Sequence, residues 1–284
     1  MRFYAALMIE FLGYTMESKQ KRLFFGLEVL SAWPESWPRG KIIEPAFRHM
    51  TIAFLGNCDY PSLQELLQDI PKPECYLGLS GVLDTCLFLP EKSPHVVCFH
   101  MQFFALQKLM FYREMLRNWL REHTFLPKEM QREEFLPHMT IARGDFEKNA
   151  WEKMFIKLPF VTKNIHLYES LGNSQYRSLW EIPIVLPMEE KPHMADLAFI
   201  IRGENSLEMH QNALIALAFH FPPLISYFPT EFLPDNLDLI IFSLNQTIAK
   251  ADTEIGCPFK AVSFHGEIKK TPEGFLEWEM IVDV

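Results

Sequence analysis

The residues best suited to chemistry in this chain come as a repeated pair. His49-Met50-Thr51-Ile52-Ala53 returns, letter for letter, as His138-Met139-Thr140-Ile141-Ala142, 89 residues later. An imidazole moves protons near neutral pH, as a base when neutral and as an acid when charged. A threonine hydroxyl can donate to an anionic oxygen. Two of each around one reacting atom would form an acid–base pair with donors for developing charge, often the larger share of catalysis. Arg143 directly follows the second copy. It suits an anionic group, with pairing to a carboxylate as the other reading.

The element that must carry such a motif is a strand. Successive side chains of a strand point to opposite faces. In each copy His and Thr therefore share one face, free to line a groove, and Met and Ile share the other, free to pack. One histidine on a strand is usually structural. Two identical copies suggest an internal duplication whose equivalent strands face one cleft.

The surrounding pattern supplies partners for those strands. Lys21–Leu30, Leu77–Leu89 and His95–Met101 read as strands, as do 164–171 and 178–185. The Pro- and Gly-containing stretch 32–45 is a loop delivering the first motif. Leu63, Leu66, Leu67 and Ile70 have helical spacing over 61–70, and Pro71 and Pro73 end that helix. Residues 102–123 predict the longest helix, with Phe103, Leu106, Leu109, Met110 and Leu116 as its apolar stripe. Lys108, Arg113, Arg117 and Arg121 are expected on its solvated face. A short helix is expected over 150–158, and MEEKP at 188–192 reads as a charged linker.

On these residues the first two thirds of the chain resemble the two-histidine (2H) phosphoesterases, in their RNA 2′,3′-cyclic phosphodiesterase (2′–5′ RNA ligase-like) branch. KRLFFGL at 21–27 is similar to the opening strand of that branch, HMTIAFLG at 49–56 to its first motif, FLPHMTIAR at 135–143 to its second, and LYESLGNSQY at 167–176 to its closing strand. The resemblance covers about residues 20–187. With it, His49 and His138 are expected to be catalytic; the chemistry of the residues puts Thr51 and Thr140 on the substrate phosphate, with Arg143 either there or paired with a carboxylate, and two imidazoles that supply both proton transfers require no metal or other cofactor. Our expectation for the roles makes His138 the base that activates water and His49 the acid on the leaving oxygen.

Charge divides the chain. The net −9 comes entirely from residues 189–284, which hold six Lys and Arg against 15 Asp and Glu, while residues 1–188 balance. Neither part is basic enough for a long nucleic-acid tract, so contact with RNA would be local. A sharp change in charge suggests two units with different partners. Five cysteines (58, 75, 86, 98 and 257) with no CxxC spacing argue against a disulfide framework or a zinc site. No apolar run approaches the ~18 residues of a membrane span. The opening MRFYAALMIEFLGYT is interrupted by Glu10 and lacks a clean cleavage site, so a cytoplasmic protein with an N-terminal extension, or a true start at Met16, is expected.

The acidic part resembles archease. His193-Met194-Ala195-Asp196, the SLEMHQNALIALA stretch from Ser206, LIIFSLNQTIAKAD at 239–252, KAVSFH at 260–265 and the closing MIVDV are similar to successive motifs of that family. Met194 replaces the family's Thr, and the segment between Asp252 and Lys260 is short where the family has further strands. By themselves, Asp196 and Asp283 at strand ends are ordinary solvated carboxylates. The resemblance implies that they meet and bind Ca²⁺ or Mg²⁺, and that the unit acts on an RNA-splicing ligase.

The expected architecture is therefore α+β. A bilobal, duplicated 2H phosphoesterase fold over 21–187 follows an extension over 1–20 and precedes a small α+β archease-like domain over 193–284. The expected function is opening of 2′,3′-cyclic phosphate RNA ends to 2′-phosphates. The alternative is a non-catalytic accessory protein that grips RNA ends and stimulates the ligase. A 2′-phosphate product is one that ligase is not expected to join, so the fusion would serve a choice between repair and decay.

Overall fold

The computed structural model describes residues 19–74, 76–132 and 134–284. The expected extension and the alternative start at Met16 lie outside the described residues except for residues 19 and 20, as does Cys75.

The first unit is built on strands β1 (Gln20–Ser31), β2 (Lys41–Ile42), β3 (His49–Asp59), β4 (Ser80–Leu89), β5 (Val96–Phe103), β6 (His138–Arg143), β7 (Leu158–Gly172) and β8 (Gln175–Ile182). Their pairing runs β1-β3-β6-β5-β4-β7-β8, and β7 also pairs back to β1. Six strands thus close a circuit, with β8 outside it and β2 on β6. Helices α1 (Tyr60–Leu66), α2 (Leu106–Glu122) and α3 (Lys148–Met154) complete the unit. The Asp59 side chain caps α1 by accepting from Ser62 N–H at 3.1 Å.

The repeated motifs lie on adjacent antiparallel strands. Met50 of β3 is in register with Met139 of β6. Both methionines are fully buried, as the packed face requires. That register sets His49 across from Thr140, and Thr51 across from His138, on the opposite face. The duplication is therefore arranged as an approximate two-fold through the paired methionines.

Two expectations are corrected. The basic face of α2 is solvated only in part: Arg113 and Arg117 are 6% and 4% exposed, whereas Arg121 is exposed. Arg113 Nε donates to the Ile52 carbonyl at 3.1 Å and its guanidinium lies over Phe135, while Arg117 donates to the Met130 carbonyl. Long stems let a guanidinium cross the helix surface and find a carbonyl within the fold. The helix also begins later than expected, because Gln102 and Phe103 finish β5.

The second correction concerns residues 188–192. Met188–Lys191 is strand β9, paired with β10 (Leu197–Gly203). Alternation decides this: Met188 packs on a core, and Glu189 meets Arg202. The second sheet runs β11-β13-β10-β9, with β11 (Ala261–Val262), β13 (Leu276–Asp283) and β12 (Lys269–Lys270) on β13. It carries α4 (Ser206–His220) and α5 (Leu237–Ile255), capped by Asn205 and Asn236.

Helix α4 is apolar on more than one face, the mark of a helix buried between layers. Met209, Ala213 and Leu217 face the second core, while Ile215 and Ala218 pack with Val82 and Val161 of the first unit. Ser80 Oγ donates to Asn212 Oδ1 at 2.5 Å across this contact, and Lys108 bridges Glu204 and Glu208.

Candidate active site

The five expected residues of the first unit come together. His49, Thr51, His138, Thr140 and Arg143 line one pocket of about 250 Å³. Five further residues complete it: Arg22, Phe24, Phe54, Ser170 and Tyr176. Sequence reading missed these as site residues. Alternation along β1, with Leu23 and Phe25 packed inward, was the available signal for Arg22 and Phe24. The others depend on which strands close the circuit.

Each imidazole is held in the same way. His49 Nδ1–H donates to the Phe47 carbonyl at 2.8 Å, and His138 Nδ1–H donates to the Leu136 carbonyl at 2.8 Å. A bond at one ring nitrogen selects the tautomer, leaving Nε2 as the free acceptor in both rings. The repeat in sequence is thus a repeat in hydrogen bonding.

Their surroundings differ. His49 lies among aromatic rings, 4.7 Å from Phe24 and 5.3 Å from Tyr168, with Tyr176 edge-on at 4.7 Å. Burial pushes its pKa down to about 4, the Phe47 carbonyl opposes that, and Arg143 and His138 add to the lowering. His49 is therefore neutral at pH 7. A neutral imidazole is a ready base, which favours the reverse of the roles expected from sequence.

The supporting contacts fix these rings. Gly26 sits against His49: a Cβ there would lie 3.1 Å from the Met50 carbonyl oxygen and 3.4 Å from His49 Cδ2. Arg48 turns to the other face, is 2% exposed, and lies 4.4 Å from the Trp33 ring and 5.0 Å from that of Trp37. Its Nε donates to the Ile43 carbonyl at 3.0 Å, tying the incoming loop to the residue just before β3. Arg22 stacks on Phe54 at 5.2 Å, placing a second guanidinium at the pocket besides Arg143.

In the second unit the β10–β13 ladder ends on the pair Leu197–Val282, with Asp196 just before β10 and Asp283 the last residue of β13. Asp196 N–H also donates to His193 Nδ1 at 3.3 Å. Among the described residues no group of three or more His, Cys, Asp or Glu is arranged to hold a metal. A pair of carboxylates fits Mg²⁺, which keeps several waters, better than Ca²⁺, which takes six to eight oxygens.

No family model matches the chain. Over 117 residues it is 28% identical to the RNA 2′,3′-cyclic phosphodiesterase of Thermotoga maritima, a match covering 39% of this chain and 58% of that relative. Among solved structures it is similar to E. coli LigT complexed with 3′-AMP, at 21% identity and a TM-score of 0.42, covering 58% of this chain and 98% of that one. It is also similar to TT0787 of Thermus thermophilus, at 18% identity and a TM-score of 0.43, covering 57% and 97% of the two chains. Among the described residues no helix is long and apolar enough to cross a membrane.

Proposed function

We propose that the first unit is a 2H-type phosphodiesterase that opens 2′,3′-cyclic phosphate ends of RNA to 2′-phosphates. The observation that carries this reading is two identically tethered imidazoles with two threonines and two arginines around one small pocket. The likeness to the Thermotoga phosphodiesterase supports the substrate class.

Arg22, Arg143 and the hydroxyls of Thr51 and Thr140 hold the non-bridging phosphate oxygens. Neutral His49 takes a proton from water as its oxygen bonds to phosphorus. The bond from phosphorus to the 3′-oxygen breaks, and protonated His138 donates to that oxygen. The phosphate stays on the 2′-oxygen. Every proton is accounted for by the two rings.

The test is turnover of a short RNA ending in a 2′,3′-cyclic phosphate. His49→Ala or His138→Ala should each lower kcat/KM by at least ~10²-fold, the scale of a lost acid or base. EDTA should leave the rate unchanged. Wild-type turnover by the double variant would refute the assignment. Tight binding of the end without turnover would return the accessory role.

For the second unit we propose an archease-like role on an RNA-splicing ligase, with Asp196 and Asp283 holding Mg²⁺ or Ca²⁺. The bound ion would relieve repulsion between the two carboxylates. Ion binding stabilises a fold by mass action, so Mg²⁺ should raise the Tm of the full chain and Asp283→Ala should abolish the rise. An unchanged Tm at millimolar Mg²⁺ would remove the metal from the proposal.

A further inference from the structure

The histidine pocket does not end at its ten lining residues. On β5, Cys98, His100 and Gln102 alternate on the same face as the catalytic motifs, while Phe99, Met101 and Phe103 enter the core. Cys98 Sγ lies 3.7 Å from Thr140 Oγ1 in the pocket, and His100 is in register with His138. His100 is held by a bond from its Nδ1 to Asp84 Oδ1 at 2.6 Å, which leaves Nε2 free. His100 and Asp84 are 29% and 23% exposed at their side chains, so this ring stays open to solvent beside the pocket.

From His100 the same face continues to Gln102, which lines a cleft of about 820 Å³ between the two units. Residue spacing along a strand puts Gln102 about 13 Å from Cys98. Phe104 and Lys157 come from the first unit, and Gln211, Phe228 and Phe232 from the second. Phe232 is set by the His210 ring, 4.8 Å away, and buried His210 is itself bonded to Ser243 Oγ at 3.0 Å. Glu231 is the carboxylate at the second unit's edge of the cleft.

We propose that this face and cleft form a track for single-stranded RNA, holding the nucleotides upstream of the 3′ end that sits in the histidine pocket. The proposal rests on the phosphodiesterase reading for the polarity of the strand. Sequence-tolerant binding of a single strand combines aromatic faces for stacking with cations and polar groups along the backbone. Phe232 supplies a face, together with the parts of Phe104 and Phe228 that line the cleft while the rest of each packs on the core between the units, Lys157 the cation, and His100, Gln102 and Gln211 the polar groups. A nucleoside held by its cyclic phosphate stays in the pocket. Only a chain of nucleotides reaches the cleft, so the second unit makes the enzyme selective for RNA ends over small cyclic nucleotides.

The test compares cytidine 2′,3′-cyclic phosphate with a hexaribonucleotide ending in a 2′,3′-cyclic phosphate, on the full chain. The wild type should prefer the hexamer by about tenfold or more in kcat/KM, less at high salt. Lys157→Glu and Phe232→Ala should each cut that preference by about fivefold or more through KM, and leave the mononucleotide rate alone. Gln102→Trp, which fills the cleft, should do the same if Phe232→Ala fails to fold. Equal use of both substrates, or equal losses on both, would overturn the track. Anisotropy of a 5′-labelled hexaribonucleotide separates the two readings. Binding weakened by Lys157→Glu without any turnover would keep the track and remove the phosphodiesterase. Binding absent or indifferent to these variants would remove the track.

Discussion

At the scale of single residues, the two imidazoles of the pocket are equal in tethering and unequal in surroundings. The ring packed among Phe24, Tyr168 and Tyr176 loses hydration of its cation, while Arg143 lies near enough to oppose a second positive charge. Under the proposed function, this favours His49 as the base, leaving His138 as the acid. An acid matters little when the leaving group needs no proton, so a p-nitrophenyl phosphodiester separates the roles. His138→Ala should keep most of its wild-type rate on such an ester, whereas His49→Ala should remain slowed by ~10²-fold. The opposite pattern would restore the roles read from the sequence.

At the scale of elements, the active strands are positioned by side chains that look like surface charges. Arg113 reaches from α2 to the carbonyl of Ile52, inside the first motif's strand, and stacks on Phe135 just before the second. It thus connects one helix to both halves of the duplication. Arg113→Leu would fill the same volume but leave that carbonyl without this donor, and an unsatisfied buried acceptor costs about 1–3 kcal/mol. The expected outcome is a lower midpoint of urea unfolding with a smaller loss of turnover than at His49. Arg121→Leu, at an exposed position on the same helix, should leave the midpoint unchanged.

At the scale of the whole molecule, each unit holds a desolvated histidine whose pKa falls to about 4: half-buried His49 in the first and buried His210 in the second. The unfolded chain binds protons at these rings near the ordinary value of ~6.5, and the folded chain does so only near 4. Stability contributed by their neutral forms is therefore complete above about pH 6.5 and is lost as pH falls toward 4. The Tm should drop steeply over that window. His210→Asn should flatten part of the drop, and a pH-independent Tm would contradict the burial argument. Because α4 packs on both cores, the two units should unfold in one transition.

The repeated HMTIA, read with strand alternation, placed His49, Thr51, His138 and Thr140 on one face without any coordinates, because alternation is a local property of the backbone. Most of the longer strands and helices of the first unit were legible for the same reason, while the short β2 and β9 were read as loop and linker. The second sheet begins at Met188, close to where the charge changes, rather than after a linker. What distinguishes His49 from His138 was not legible, since identical pentapeptides carry no record of which one three aromatic rings from β1, β7 and β8 will surround. Nor was the burial of Arg113, which depends on a carbonyl 61 residues away. The cleft beyond His100 depends on α4 having two apolar faces and two cores to satisfy. Local sequence specified the elements and their outward-facing chemistry; long-range closure of the strands decided which of those groups meet.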